Sequence, residues 1–578
     1  MDGTKSIKKG PSVLVYTLLA FNLILRLYST LFMIISDCDE TFNYWEPLNL
    51  LVRGFGKETW EYSPVYAIRS YAYLIPYYIV SLPITLLGQF VKFPPYVHFY
   101  WIRLIALNGF NVFAERKLFA SVSSSLGPQC ANWFIFLSSI APGMSHGAVA
   151  LLPSSLALGC VSLATSYVLL YVTTPQLSSA LYAVAFFSYG GIYGWPFALA
   201  LAIPFGLFIF ASSIQNPENL LSFAIRALAI VGAMTALIVA IDSAFYKKLL
   251  LVPLNIITYN VFGGEGEGPE IFGVEPFIYY VHNLLLNFNA TLLLASAGCF
   301  LSFGLRSKQR TKVIVTCTFP LAIWLSVFAS QEHKEERFLY PIYPLIVLSA
   351  SVFLSWFLTT STSIIRSLTS SDKLTILYKQ FFIVAFATVV GSISILRIMN
   401  LVENYSAPIT IFRQVAELPP KTTITNVCVG REWYHFPASF FLPDNYRLRF
   451  LRSGFDGLLP GDFKESSSIL ESTSTFPDDM NNKNMFSAGK VISLEQCDYY
   501  VDNTGPIDEE SGEPFIFLNS AHPEVVAGWD IIGCEKIIDP AGKSSGIGRI
   551  LWVPVAIRKW VPYNVDYMNL CLAEKRSQ

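Results

Sequence analysis

Long apolar runs follow one another through the first two thirds of this chain, and they constrain its fold more than any other feature. Runs near 12–35, 72–91, 97–118, 131–150, 151–172, 178–213, 219–242, 283–304, 313–329, 338–358 and 380–400 are mostly uncharged. Crossing a bilayer takes about 20 such residues, and a backbone in hydrocarbon must satisfy its own hydrogen bonds, which a helix does. The sequence therefore predicts about eleven membrane helices, with 178–213 holding one or two. The chain is 53% hydrophobic and only 14% charged, against roughly 25% charged in soluble domains. A net charge of −1 gives no basic surface for nucleic acid. Nine cysteines without a CxxC pair and six histidines without an HxxxH argue against a structural zinc.

The first run is too long for a cleavable signal and lacks a small-residue cleavage site. Lys5, Lys8 and Lys9 precede it and hold the N-terminus in the cytosol. Two further short loops are basic: Arg306, Lys308, Arg310 and Lys312, then Arg366, Lys373 and Lys379. Both are cytosolic by the same rule, so parity puts 36–71, 243–282, 330–337 and 401–578 on the opposite, lumenal side. Beyond about residue 401, Asp, Asn, Ser, Gly and Pro become frequent. The runs 422–429 and 549–555 read as β-strands, the second limited by Pro554 to an edge or a strand end. The expected organisation is a transmembrane region over 1–400 and a small mixed α/β lumenal domain over 401–578. Its cysteines, Cys428, Cys497, Cys534 and Cys571, form one or two disulfides in an oxidising lumen, or stay as buried thiols; no pairing can be read. The sequon at Asn404 lies too close to the membrane for use, and the one at Asn289 falls inside a run.

Charged groups at a bilayer edge are costly and need a reason. Asp37, Asp39 and Glu40 stand at the mouth of the first run. Carboxylates this close repel, so at least one titrates high, which suits a proton acceptor. The plainer reading is that Asp37 or Asp39 caps a helix through Thr41–Trp45. Trp60, Glu61, Tyr62 and Arg69 follow in the same loop, as an interfacial belt or as the lining of a carbohydrate site. The run from Gln331 to Pro341 contains His333, Lys334 and Arg337. These cations either hold a lipid phosphate or form a salt-bridged cap on the next helix. The glycine-rich stretch after Tyr259 and Asn260 lacks the order of a phosphate-binding P-loop. It reads as a flexible lumenal loop, with Tyr259 and Asn260 as candidate site residues.

Asp39-Glu40, the Tyr259-Asn260-Val261-Phe262-Gly263 loop and His333–Pro341 together resemble the eukaryotic mannosyltransferases that use dolichyl-phosphate mannose, glycosyltransferase family 22. The stretches 37–47, 59–64 and 67–71 are most similar to the family's α-1,2 branch of N-glycan precursor assembly, which adds the seventh and ninth mannoses. The resemblance implies a polytopic α-helical GT-C membrane fold in the endoplasmic reticulum, with its active site facing the lumen. It implies two lipid substrates, dolichyl-phosphate mannose and a dolichyl-diphosphate oligosaccharide, and no cofactor or metal. It also implies an inverting transfer, with Asp39 as base, Glu40 assisting, and His333, Lys334 and Arg337 on the donor phosphate. Asp37, Trp60, Glu61, Tyr62, Arg69, Tyr259 and Asn260 would line the acceptor side. Many relatives read His-Pro-Asp-Glu where this chain reads Asp37-Cys38-Asp39-Glu40, so the match carries Asp39 and Glu40 but not Asp37. The rivals are a sister enzyme, α-1,6 or of the GPI anchor, and a lipid or sugar transporter. A transporter puts ionisable groups at mid-span, whereas here Glu115, Arg116 and Asp242 fall near predicted span ends.

Overall fold

The computed structural model describes residues 12–213, 217–263, 268–507, 509–514, 516–518, 523–542 and 544–576. Lys5, Lys8, Lys9 and the glycine-rich centre 264–267 lie outside them. Every apolar run folds largely as helix, but not every run is a straight span. Among the described residues, seven helices are long and apolar enough to cross a membrane: Val13–Phe32, Pro153–Thr173, Pro196–Ser213, Glu218–Tyr246, Ser307–Ser330, Glu336–Thr369 and Asp372–Tyr405. The pair Ile278–Phe288 and Ala290–Gly304, bent by 108°, makes eight if counted as one.

Fewer than the expected eleven meet that standard of length and apolar composition, and backbone chemistry explains where the others fall short. The run 131–150 ends a helix at Ile140, because Pro142 denies a backbone N–H and forces Ala141 to ψ 120°. The run 283–304 turns at Asn289, which takes φ 41°. Trp195, extended ahead of Pro196, splits 178–213 into two helices. The helices over 71–87, 128–140 and 177–189 are short, and the one through 96–125 carries buried Arg103, Asn108, Asn111 and Glu115.

Glu115 and Asp242 lie in the protein interior, and both are satisfied there. Glu115 pairs with Arg26 of the first helix at 2.6 Å and accepts from Asn22 and Ser138. Asp242 accepts from Ser70 Oγ at 2.8 Å and from Ala72 N at 2.9 Å, anchoring the start of helix Tyr71–Leu87. They are structural polar contacts.

Nine strands occur among the described residues: β1 Lys57–Glu58, β2 Thr425–Val429, β3 Tyr446–Phe450, β4 Gly461–Asp462, β5 Tyr499–Asn503, β6 Trp529–Ile538, β7 Ser545–Gly546, β8 Tyr563–Asn564 and β9 Tyr567–Lys575. The main sheet runs β3-β2-β5-β9-β6, parallel on the β3/β2/β5 side and antiparallel on the other. Disulfides join Cys428 to Cys497 and Cys534 to Cys571, the second bridging directly paired residues of β6 and β9. The expected strand at 422–429 is β2, shortened at its start. The one expected at 549–555 does not form: 547–550 is a helical turn, and Pro554 leads into another turn over Val555–Trp560.

The two regions meet at a seam beside the first loop. β1, in that loop, pairs antiparallel with β4. The buried carboxylate of Glu46 accepts from Ser439 N, Ser439 Oγ and Lys57 N at 2.5–2.8 Å. Gly56 is needed at this seam, since a Cβ there would lie 2.5 Å from Glu46 O. The C-terminal part is thereby fixed over the loop that carries Asp37 and Asp39.

Candidate active site

Asp37 ends the link after the first helix, and its carboxylate caps the next by accepting from Asp39 N at 2.9 Å. That helix runs from Cys38 to Arg53 through a widened π-type turn at Thr41–Trp45, a distortion frequent at functional sites. The cap holds Cys38 and Asp39 at the rim of a cavity of about 470 Å³. The cavity gathers residues far apart in the chain: Asp39, Arg69, Tyr259, Arg337 and Trp433 all line it.

Arg337 is the hub of its charges. Its Nη2 meets Asp39 Oδ2 at 2.6 Å, its Nη1 meets Asp37 Oδ2 at 3.1 Å, and its Nε pairs with Glu335. Arg69 is a second cation, 4.0 Å from Asp39 and bonded through two nitrogens to Glu61 at 3.0 and 2.8 Å, with Tyr44 OH at 2.8 Å. The acidic pair splits as repulsion requires. Burial, with Asp39 and Glu335 nearby, pushes Asp37 up to about 7 against the pull of Arg337. Burial would raise Asp39 as well, but Arg337 and Arg69 outweigh it and hold this carboxyl below its ordinary range. Asp39 is therefore the ionised member, with 35% of its side chain accessible. Glu61 is raised by burial, despite Arg69.

His333 also lines the cavity, with Nδ1 2.7 Å from Gly273 O and Nε2 3.0 Å from Glu335. Burial works against its charge, but the bond to Glu335 wins and raises the imidazole. Trp60, Glu61, Tyr259 and Asn260 line the wall of the same cavity, Trp60 lying 5.2 Å from the Tyr259 ring.

Three expected site residues do not reach the cavity. Glu40 is 2% exposed and accepts from Trp45 Nε1 and Leu151 N, each at 2.9 Å. It faces the helix core, because the residue after Asp39 in a helix turns about 100° away. Lys334 is 7% exposed, and its ammonium donates to the backbone oxygens of Gln331 and Glu275. It straps the 331–335 segment to the chain before helix Ile278–Phe288 and is not among the residues that line the cavity. Tyr62 is fully buried against Tyr71.

Other cavity residues gave no sequence signal. Trp195 and Phe328 form an apolar wall from inside membrane runs, joined by Phe338 of the Gln331–Pro341 stretch, 5.1 Å from Trp195. Trp433, Phe455 and Asn484 reach in from the C-terminal part. Apolar residues in an apolar run look like span, so only the tertiary fold separates them. Asp37, Cys38 and Asp39 bring donor atoms within 4.8 Å of one another, a spacing a cation could use. Both carboxylates already face Arg337, which fills the role of counter-charge.

The model of the Alg9-like mannosyltransferase family matches residues 17–443. The Saccharomyces cerevisiae protein named α-1,2-mannosyltransferase ALG9 is 41% identical over 569 residues, 95% of each chain. The human protein of that name is 32% identical over 560 residues, covering 94% of this chain and 87% of its own. Among solved structures, ArnT from Cupriavidus metallidurans bound to undecaprenyl phosphate aligns over 80% of this chain and 87% of its own, with a TM-score of 0.48 and 11% identity.

Proposed function

The chain belongs to the Alg9-like mannosyltransferase family, and on that premise we propose that it is an α-1,2-mannosyltransferase of N-glycan precursor assembly. It takes mannose from dolichyl-phosphate mannose and adds it to the dolichyl-diphosphate oligosaccharide, at the lumenal face of the endoplasmic reticulum membrane. Residues 1–400 carry the reaction centre, and 401–578 form a lumenal domain that closes it from above.

The observation that carries this reading is the carboxyl of Asp39, 2.6 Å from Arg337, at the rim of a cavity walled by both polar loops and membrane aromatics. Both substrates hang from lipids, so the sugars must meet where a bilayer-embedded wall gives way to charged groups. The donor sugar is β-linked and the product bond is α, which calls for a single displacement. Asp39 takes the proton of the acceptor 2-hydroxyl as its oxygen bonds to the anomeric carbon. The bond from that carbon to the phosphate oxygen breaks, and dolichyl phosphate leaves with the electron pair. Arg337 neutralises the charge that develops on it, with Arg69 and His333 at the margins. Lys334 drops out of that role, since its ammonium is committed to the backbone oxygens of Glu275 and Gln331 and it does not line the cavity. Asp37 provides a second reading for the base, because a carboxyl near 7 is better matched to neutral pH.

The purified protein, given dolichyl-phosphate mannose and a synthetic lipid-linked oligosaccharide with six mannoses, is expected to add one α-1,2 mannose. Failure of the folded protein to do so refutes the acceptor assignment. Full activity in Asp39→Asn refutes the base, and a loss confined to Asp37→Asn transfers the role to Asp37.

A further inference from the structure

The segment 547–560, Ile-Gly-Arg-Ile-Leu-Trp-Val-Pro-Val-Ala-Ile-Arg-Lys-Trp, has no part in the cavity and does not join a sheet. It carries three cations and no carboxylate. Large apolar side chains stand on its outside: Val555 is 74% exposed and Trp560 70%, with Ile547, Ile550 and Ile557 beside them. Arg558 lies 4.4 Å from the Tyr563 ring centroid, and Lys559 4.6 Å from that of Trp560. A soluble surface has little reason to expose this group of residues.

Its attachment gives the reason. Trp552 N donates to Leu396 O at 3.0 Å, Arg397 Nη1 to Ile550 O at 3.1 Å and Asn400 Nδ2 to Gly548 O at 3.3 Å. All three contacts lie near the C-terminal end of Asp372–Tyr405, the last helix long and apolar enough to cross the membrane among the described residues. The apolar part of that helix begins near residue 380 and, at 1.5 Å per residue, has crossed about 30 Å of hydrocarbon by residue 400. The segment is therefore tied at the level where the helix enters the headgroups.

We propose that 547–560 is a membrane-interface seat: Val555, Ile557 and Trp560 enter the headgroup layer, and Arg549, Arg558 and Lys559 bind acidic phospholipid headgroups. Aromatic and basic residues of this kind favour that layer. Continuity with the last spanning helix and the uniformly positive charge select lipid as the partner. The seat fixes the height of the C-terminal part over the cavity that Trp433, Phe455 and Asn484 help to wall.

The test uses the full chain in nanodiscs, compared with Trp560→Phe, so that the difference in fluorescence isolates Trp560 among eleven tryptophans. Phospholipids brominated near the headgroup are expected to remove that difference, and aqueous iodide to leave it. Quenching by iodide and not by bromolipid overturns the seat. Replacing Val555 and Ile557 together by Ser is expected to restore part of the signal in bromolipid nanodiscs. Nanodiscs with phosphatidylserine are expected to give more bromolipid quenching than neutral ones, a gap that Arg558→Gln with Lys559→Gln removes. Equal quenching in both overturns the charge assignment. None of these residues touches the cavity, so the result is independent of whether mannose is transferred.

Discussion

Asp39→Asn is the substitution that most sharply divides chemistry from architecture. The amide is isosteric and keeps an oxygen facing Arg337 Nη2, now 2.6 Å from the carboxylate, so the rim should keep its shape. What is lost is the proton acceptor. A positioned base contributes roughly 10²–10⁴-fold, or about 3–5 kcal/mol at 1.36 kcal/mol per decade, and kcat should fall by that factor. Donor binding should move the other way. Two charges 2.6 Å apart attract by about 6 kcal/mol at an effective dielectric of roughly 20, and any phosphate that approaches Arg337 competes with that attraction. Removing it frees the guanidinium, so donor KM is expected to stay level or drop. The pH profile carries the sign. Asp39 is depressed and so stays ionised throughout the neutral range, contributing no inflection there. Asp37, raised to about 7, gains charge as pH rises through that value. An inflection near 7 that disappears in Asp37→Asn belongs to Asp37, and one that survives there belongs to His333, which is also raised; in the residual activity of Asp39→Asn the Asp37 inflection moves to lower pH, because the Asp39 charge that helps to raise it is gone. Initial rates of radiolabelled mannose transfer between about pH 6 and pH 8 check all three. Retention of more than a tenth of wild-type kcat by Asp39→Asn, with the protein folded, refutes the reasoning.

Glu40→Gln keeps an oxygen for Trp45 Nε1 and Leu151 N, so its kcat should stay within about tenfold of wild type, whereas Glu40→Ala leaves buried donors unpaired and should cost about 1–3 kcal/mol in thermal unfolding. A large loss of kcat in Glu40→Gln at unchanged Tm would return Glu40 to the chemistry. Lys334→Met releases the oxygens of Gln331 and Glu275; it should lower Tm by a comparable free energy and leave donor KM unchanged, and a selective rise in KM would restore the phosphate role. Glu58 is fully buried in β1, with neither carboxylate oxygen hydrogen-bonded among the described residues, and burial raises it well above 4.5. The folded chain thus keeps a proton that the unfolded chain releases above that value, so stability falls as pH rises toward the raised pKa. Glu58→Leu should remove this dependence and stabilise by about 1–3 kcal/mol, read as a higher Tm whose margin over wild type is larger near pH 8 than near pH 6.

The membrane fold was legible wherever one number, the length of an apolar run, decides the outcome. It was less so where a single residue redirects the chain. Pro142 and Asn289 each lie inside a run of adequate hydropathy, and each turns it. A window average weighs such a residue as one part in twenty, while the helix depends on that residue's own N–H or φ. The strand expected at 549–555 failed for a related reason. Its β-branched and aromatic residues report an apolar setting, and a membrane interface satisfies that preference as well as a sheet does.

The site shows how far a charged motif can be read. The family resemblance assigns every cation from His333 to Arg337 to one ligand, yet only alternate residues reach the cavity: Gln331, His333, Glu335 and Arg337 line it, while Glu332, Lys334 and Glu336 do not. Glu335 is extended, at φ −131° and ψ 151°, and extended backbone sends successive side chains to opposite sides. Glu336 accordingly binds His146 and Asn287 behind the wall, and Lys334 ties down the backbone. The short helix at 38–40 separates Asp39 from Glu40 by rotation instead. In both motifs adjacent charges are too close in sequence to share one ligand, and the local backbone period assigns one to the reaction and the next to holding it in place.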